Sequence, residues 1–266
     1  MKRKYFSRRT LAVPYAIFLL AFVAAPVCVL FYYAFTDGDG SFTFSNLINF
    51  FTDANTLGTL FYSFGVAFVT TLVCLLLAYP AAYILAGSRL RNKSVWLLVL
   101  IMPMWINFSL RITALKEILT LLEGNLAYHQ FLNTIIGMTY DFLPFMILPI
   151  YNTLAGIDTS YTEAAKDLGA GGVTAFLKIT LPLSVPGIIS GVLMVFLPAM
   201  TNYVILDMLY NSTYIMGSLI GSYFAAYDWN GGAMTALILL IIISLFTLFA
   251  REAGDGKEDG NGGIRL

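Results

Sequence analysis

The sequence predicts an all-α integral membrane protein of six transmembrane helices with its N and C termini on the cytoplasmic side. Three observations carry this expectation. Of 266 residues, 59% are hydrophobic and 11% charged, with a mean hydropathy of +0.79, whereas soluble domains carry about 25% charged residues. The apolar residues gather into stretches near the roughly 20 residues that cross hydrocarbon as a helix. Basic clusters and acidic segments alternate between the stretches, which orients them by the positive-inside rule. Formal net charge is zero, with 15 basic and 15 acidic residues, which argues against a nucleic-acid partner.

Lys2, Arg3, Lys4, Arg8 and Arg9 precede an uncharged run from Thr10 to Thr36. A secretory signal has the same polarity, but its apolar core is only about 7–15 residues long. A retained first span at 11–35 is therefore expected, with the amino terminus inside. Asp37, Asp39 and Asp53 follow without a cation and mark an outer segment. The second span, 60–87, ends before the inward cluster Arg89, Arg91 and Lys93. A third span at 94–110 leads to Arg111, Lys116, Glu117 and Glu123, a balanced set that alternation places outside. The fourth span, 131–155, contains Asp141, Pro144 and Pro149. It delivers the chain to a polar island at 156–182, followed by a fifth span at 183–206. The segment from Asp207 to Gly232 has two aspartates and no cation, so it is expected outside. Its uncharged piece, 211–227, is too short for an ordinary span and is expected at the interface or re-entrant. The sixth span covers 233–250. The transmembrane domain is thus 1–250, and the polar, Gly-rich tail 251–266 is expected to be disordered in the cytoplasm.

Catalytic patterns are missing from the sequence. There is no G-x-x-x-x-G-K-[ST] phosphate loop, no paired Cys/His metal cluster and no G-x-S-x-G elbow. His129 is the only histidine and reads as a solvated loop residue; Cys28 and Cys74 read as small buried hydrophobes. The chain is expected to hold no cofactor or metal itself.

The polar island reads E-A-A-K-D-L-G-A-G-G-V-T-A-F-L-K-I-T-L-P from Glu163 to Pro182. Ser160-Tyr161-Thr162-Glu163 has the form of a capping box, starting a helix near Tyr161. Gly169 can adopt the left-handed conformation that ends one. A second short helix is expected through Phe176 toward Leu181. The spacing of Glu163-Ala164-Ala165, Gly169, Ile179 and Leu181-Pro182 resembles the cytoplasmic EAA loop of permease subunits of binding-protein-dependent ABC importers. The resemblance implies the type I importer fold. It also implies that Glu163, Ala164, Ala165, Asp167, Gly169, Leu181 and Pro182 couple the chain to a separate ATPase. That ATPase, in two copies, would bind ATP and Mg, alongside a second homologous permease subunit, an extracytoplasmic substrate-binding protein and membrane lipid.

A charge inside a span is costly and usually faces a cavity or a partner. Asp141 is therefore either a pathway residue or the partner of Arg111. Asp207, with Asn202 and Tyr203 before it, lies near the outer end of the fifth span, and Trp105 sits between Pro103 and Asn107. Aromatic rings beside carboxylates suit an organic cation. Pro103-Met104-Trp105-Ile106-Asn107, Arg111-Ile112, Leu115-Lys116, Leu143-Pro144-Phe145-Met146 and Leu197-Pro198-Ala199-Met200 together resemble the first of the two permeases of bacterial spermidine/putrescine importers. That implies inward polyamine transport by alternating access, with Trp105, Asp207, Asp141 and Tyr203 along the substrate path. The alternatives are an ABC permease for thiamine, iron, sulfate or phosphonate, or a secondary transporter working without ATP.

Overall fold

The computed structural model describes residues 8–88, 92–210 and 215–255. Among the described residues, regular structure is helical, with one isolated antiparallel bridge between Thr36 and Phe42. Helices at Ala12–Ala34, Ala54–Gly87, Leu126–Gly156, Gly172–Thr201 and Trp229–Ala250 are long and apolar enough to cross a membrane. A bent pair supplies a sixth candidate.

The boundaries differ from the sequence reading in instructive places. The first stretch comprises α1 (Arg8–Leu19), a π turn (Leu20–Ala24) and α2 (Ala25–Ala34). An amphipathic α3 (Ser45–Thr52) precedes α4 (Ala54–Gly87). The stretch 94–110 is not one continuous helix. Helix α5 (Lys93–Ile101) tightens into a 3-10 turn at Met102–Trp105, and α6 (Phe108–Glu123) leaves at 91°. Pro103 cannot donate within that turn, Ile106 is extended, and the Asn107 side chain starts the new helix by accepting from Ser109 N and Leu110 N at 2.9 and 3.3 Å. Helix α7 (Gln130–Gly156) follows.

The polar island contains α8 (Thr159–Asp167) and α9 (Gly172–Ala175), but α9 is not a separate short helix. It runs through a π turn at Phe176–Thr180 into α10 (Leu181–Thr201). The π turn forms where Leu181 N reaches Phe176 O and the next residue, Pro182, has no N–H with which to restore the α pattern. The expected span 183–206 also breaks, turning at Asn202–Tyr203 into α11 (Val204–Leu209). Helix α12 (Met216–Ala225) precedes α13 (Trp229–Asp255), which enters the expected disordered tail. Lys2, Arg3, Lys4, Arg89, Arg91, residues 211–214 and the tail from 256 lie outside the described residues. Cys74 is buried as expected, but Cys28 is exposed, because the apolar stretch Ala12–Ala34 that carries it buries almost none of its surface within the chain.

Two units are distinguishable. The first comprises the described residues of 1–58 together with 218–242. Here the carbonyls left open at the end of α2 are met by two amides. Asn46 Nδ2 donates to Ala34 O and Thr36 O at 3.0 and 2.9 Å, and Asn230 Nδ2 donates to Tyr33 O and Thr36 O at 3.0 and 2.6 Å. Asp53 caps α4 by accepting from the Thr56 hydroxyl and from Asn55 N and Thr56 N. These bonds, the Thr56 hydroxyl first, hold its carboxyl below the usual carboxylate range.

The second unit comprises 59–217 and 243–266 in its described residues. Helices α7 and α10 form its centre, with Met138, Met146, Ile147 and Ile150 of α7 and Val195, Ala199 and Met200 of α10 fully or nearly fully buried. In hydrocarbon, burying apolar area supplies little net drive, so close backbone approach and polar contacts decide the packing. Gly187 and Gly191 provide that approach: a Cβ at Gly191 would lie 2.6 Å from Met146 Sδ. Polar ties add to it. Tyr79 and Ser184 pair through their hydroxyls at 3.0 Å, Ser63 Oγ accepts from Met216 N at 2.9 Å, and Lys116 Nζ donates to Met208 O at 2.8 Å.

Candidate functional site

Helix α8 is built from local chemistry, though not by the expected capping box. Its N-cap is Asp158, whose side chain accepts from Ser160 N at 2.9 Å, so the helix starts at Thr159. Asp158 is extended, as an N-cap should be, and the bonds from Ser160 keep its carboxyl below the usual range. At the other end, Gly169 has φ +85°, as the sequence led us to expect. Gly169 N bonds to Lys166 O and Ala170 N to Ala165 O, both at 2.9 Å. That pair of bonds is a Schellman motif, which closes the helix and reverses the chain.

The surface of this loop is unusual for its polarity. Glu163, Ala164 and Asp167 are exposed, and Ala165 is buried beneath them. Leu168 is 89% and Val173 74% exposed, on either side of the glycine turn. Two large apolar side chains beside two carboxylates, on a loop with a fixed turn, form a surface suited to contact with another protein. Leu181 and Pro182 are half-buried at the junction of the π turn with α10.

The path candidates lie on two other elements. Trp105 closes the 3-10 turn before the break and is 78% exposed. Tyr203 and Asp207, both exposed, sit at the start and on the outer face of α11. Both elements pack against α7, and α11 packs against α6 as well. Of the two readings open for Asp141, the structure realises the ion pair: Arg111 Nη2 lies 2.6 Å from Asp141 Oδ1, with both side chains buried. Arg111 Nε and Nη1 have no acceptor among the described residues, and the guanidinium carbon stands 5.9 Å from the Tyr140 ring. His129 is exposed and within 3.6 Å of Glu123. Sequence reasoning missed Leu168 and Val173, which show no pattern in the sequence, and Asp158, whose Asp-Thr pair after Gly156 was a legible cap signal.

The family described as binding-protein-dependent transport system inner membrane component matches residues 5–252. The chain belongs to this family. It is therefore a transport permease, a multi-pass protein of the cytoplasmic membrane and not an enzyme. The permease is 36% identical over 205 residues to the spermidine/putrescine transport system permease protein PotB of Escherichia coli K12, covering 71% of this chain and 74% of that one. With the protein of the same name from Haemophilus influenzae it shares 31% identity over 262 residues, covering 90% and 91%. Among solved structures, a bacterial ABC transporter involved in the import of the acidic polysaccharide alginate matches with a TM-score of 0.74 at 13% identity, covering 93% of this chain and 94% of that one. The inward-facing MetNI methionine ABC transporter matches at 0.55 and 17% identity, covering 77% and 96%. These two likenesses speak for the fold, and the fold is that of ABC importer permeases.

Proposed function

We propose that this permease moves polyamines inward by alternating access, as one half of a pore whose other half is a homologous permease. In this reading both termini and the loop 156–182 face the cytoplasm. Two copies of an ATPase that binds ATP and Mg dock on that loop, and an extracytoplasmic binding protein delivers spermidine or putrescine. The carrying observation is the loop: a capped helix ended by a left-handed glycine, with Glu163, Asp167, Leu168 and Val173 free for a partner. The polyamine relatives that span most of the chain support the cargo. Trp105, Tyr203 and Asp207 are the path residues of this proposal, with ring faces and a carboxylate suited to an ammonium. Asp141 holds α6 against α7 through Arg111.

Reconstitution of the whole complex tests the reading. Spermidine with its binding protein should stimulate ATP hydrolysis and drive uptake into vesicles. Trp105→Ala combined with Asp207→Asn should lower polyamine uptake by at least about tenfold, the worth of one desolvated cation–π or charged contact. Unchanged uptake in that variant would remove these residues from the path. Gly169→Val should leave insertion intact but uncouple hydrolysis from uptake. A β-branched residue at φ +85° costs about 1–3 kcal/mol and opens the Schellman turn. Normal transport by Gly169→Val would mean that the turn does not transmit the motion.

A further inference from the structure

Between the glycine turn and α10 the chain passes a weak point. At Phe176–Thr180 the helix is a π turn in which Leu181 N bonds to Phe176 O. Pro182, one residue on, has no N–H to return to Lys178 O, and Pro186 repeats the loss one turn later. Helices bend at π turns and at prolines. A push delivered by α8 is therefore spent in bending here unless something holds the bend from the side.

Helix α4 holds it. Tyr79 and Tyr83 lie one turn apart on one face of α4, with their rings stacked at 6.5 Å and 10°. The ring of Phe176, the first residue of the π turn, meets both edge to face. Its centroid is 5.9 Å from that of Tyr79 and 5.1 Å from that of Tyr83, with interplanar angles of 76° and 74°, an arrangement that aromatic pairs prefer. Beyond the π turn, the Tyr79 hydroxyl lies 3.0 Å from Ser184 Oγ. Ser184 commits its own proton to Leu181 O at 2.8 Å, so Tyr79 is the donor and Ser184 the acceptor. Ser184 is fully buried. One face of α4 thus holds the chain at Phe176 before the π turn and at Ser184 after it. Helix α4 stays α-helical through this region, although Pro80 withholds one bond.

We infer that α4 splints the π turn, with Tyr79 and Tyr83 as positioning residues. A displacement of the coupling helix α8 then passes into α4 and α10 as one body instead of being absorbed in the bend. Helix α8 packs against α9 and against the π turn itself, which completes the line of contacts from the loop to the two tyrosines. The inference rests on the coupling role proposed above for the loop 156–182, and not on the cargo.

The test uses the whole complex and two readouts. The first needs no cargo. Spin labels at Tyr161→Cys of α8 and Met194→Cys of α10, both exposed positions, report their separation without nucleotide and with ATP and vanadate, in a chain carrying Cys28→Ser and Cys74→Ala. With the splint intact the two states should give one distance. Tyr79→Phe with Tyr83→Leu removes both holds, and the distance should then change with nucleotide. The second readout is ATP hydrolysed per spermidine imported into vesicles. It should rise about fivefold in Tyr83→Leu, the worth of one edge-to-face pair, and stay at the wild-type value in Tyr83→Phe, which keeps the ring. Tyr83 is 40% exposed, so its substitution leaves the core intact. An unchanged ratio in Tyr83→Leu, an equal loss in Tyr83→Phe, or a loss that only follows the melting temperature would overturn the inference. So would a single α8–α10 distance that survives removal of both holds. A wild-type complex that imports no spermidine would sink the polyamine reading alone, and the label distances would still decide the splint.

Discussion

Replacing Arg111 with Met is expected to destabilise the permease by about 3–5 kcal/mol, the cost of leaving one member of a buried ion pair without its partner. Asp141 would then carry an uncompensated charge in an apolar surround, 5% exposed, or take up a proton and lose its bond. Asp141→Asn should cost less, since the amide oxygen can still accept from Nη2. The double variant Arg111→Met with Asp141→Leu should recover most of the loss. The pair as it stands leaves Nε and Nη1 of Arg111 unmet, and each orphan donor costs about 1–3 kcal/mol. Removing both charges therefore relieves an imperfect arrangement. Thermal unfolding of the three purified variants in detergent decides it; a single Arg111→Met that melts with the wild type would show that the pair does not hold α6.

Gly187→Val should be the second severe change. A Cβ there would lie 2.5 Å from Thr153 Oγ1, 2.7 Å from Thr153 Cβ and 2.9 Å from Pro149 O. Thr153 could rotate away, but a backbone carbonyl cannot, so α7 and α10 must separate. Overpacking of this kind costs about 1–3 kcal/mol. It would also loosen the close approach on which helix pairs in lipid depend. Gly65→Ala is the internal control. Nothing lies within 4 Å of its Cβ position, so gaining a better helix former should be neutral or stabilising by up to about 1 kcal/mol. Equal stability of Gly187→Val and Gly65→Ala would mean that the two helices do not pack through Gly187.

The helices were legible because hydrocarbon imposes length and composition, and both can be counted along the chain. Their ends were legible only where one residue type decides the backbone. Gly169 is such a case, since φ +85° excludes most alternatives. The break after Trp105 was not, although Pro103 and Asn107 both signal it, because an apolar count runs straight through 94–110. The start of α8 was misplaced by two residues, since Ser160 and Asp158 are both competent caps and spacing does not rank them. The Arg111–Asp141 pair joins residues 30 positions apart, so only its possibility could be read. The exposure of Leu168 and Val173 left no trace in the sequence, because exposure is a property of what packs around a residue.

The π turn at Phe176–Thr180 gives the distance between the glycine hinge and α10 a rotational meaning. A π turn accommodates one residue more than the α-helix would hold, and one residue is about 100° of helical phase. Deleting a single residue between Phe176 and Thr180 could therefore heal into regular helix with its hydrogen bonds intact and leave α9 near its present angle around the axis of α10, because the turn already absorbs the extra residue. An insertion there would have no such resting place. For this permease, the number of residues between Gly169 and Pro182 sets an angle as much as a length: a one-residue shortening is absorbed at the π turn, whereas a one-residue lengthening would turn Glu163 and Leu168 to face elsewhere.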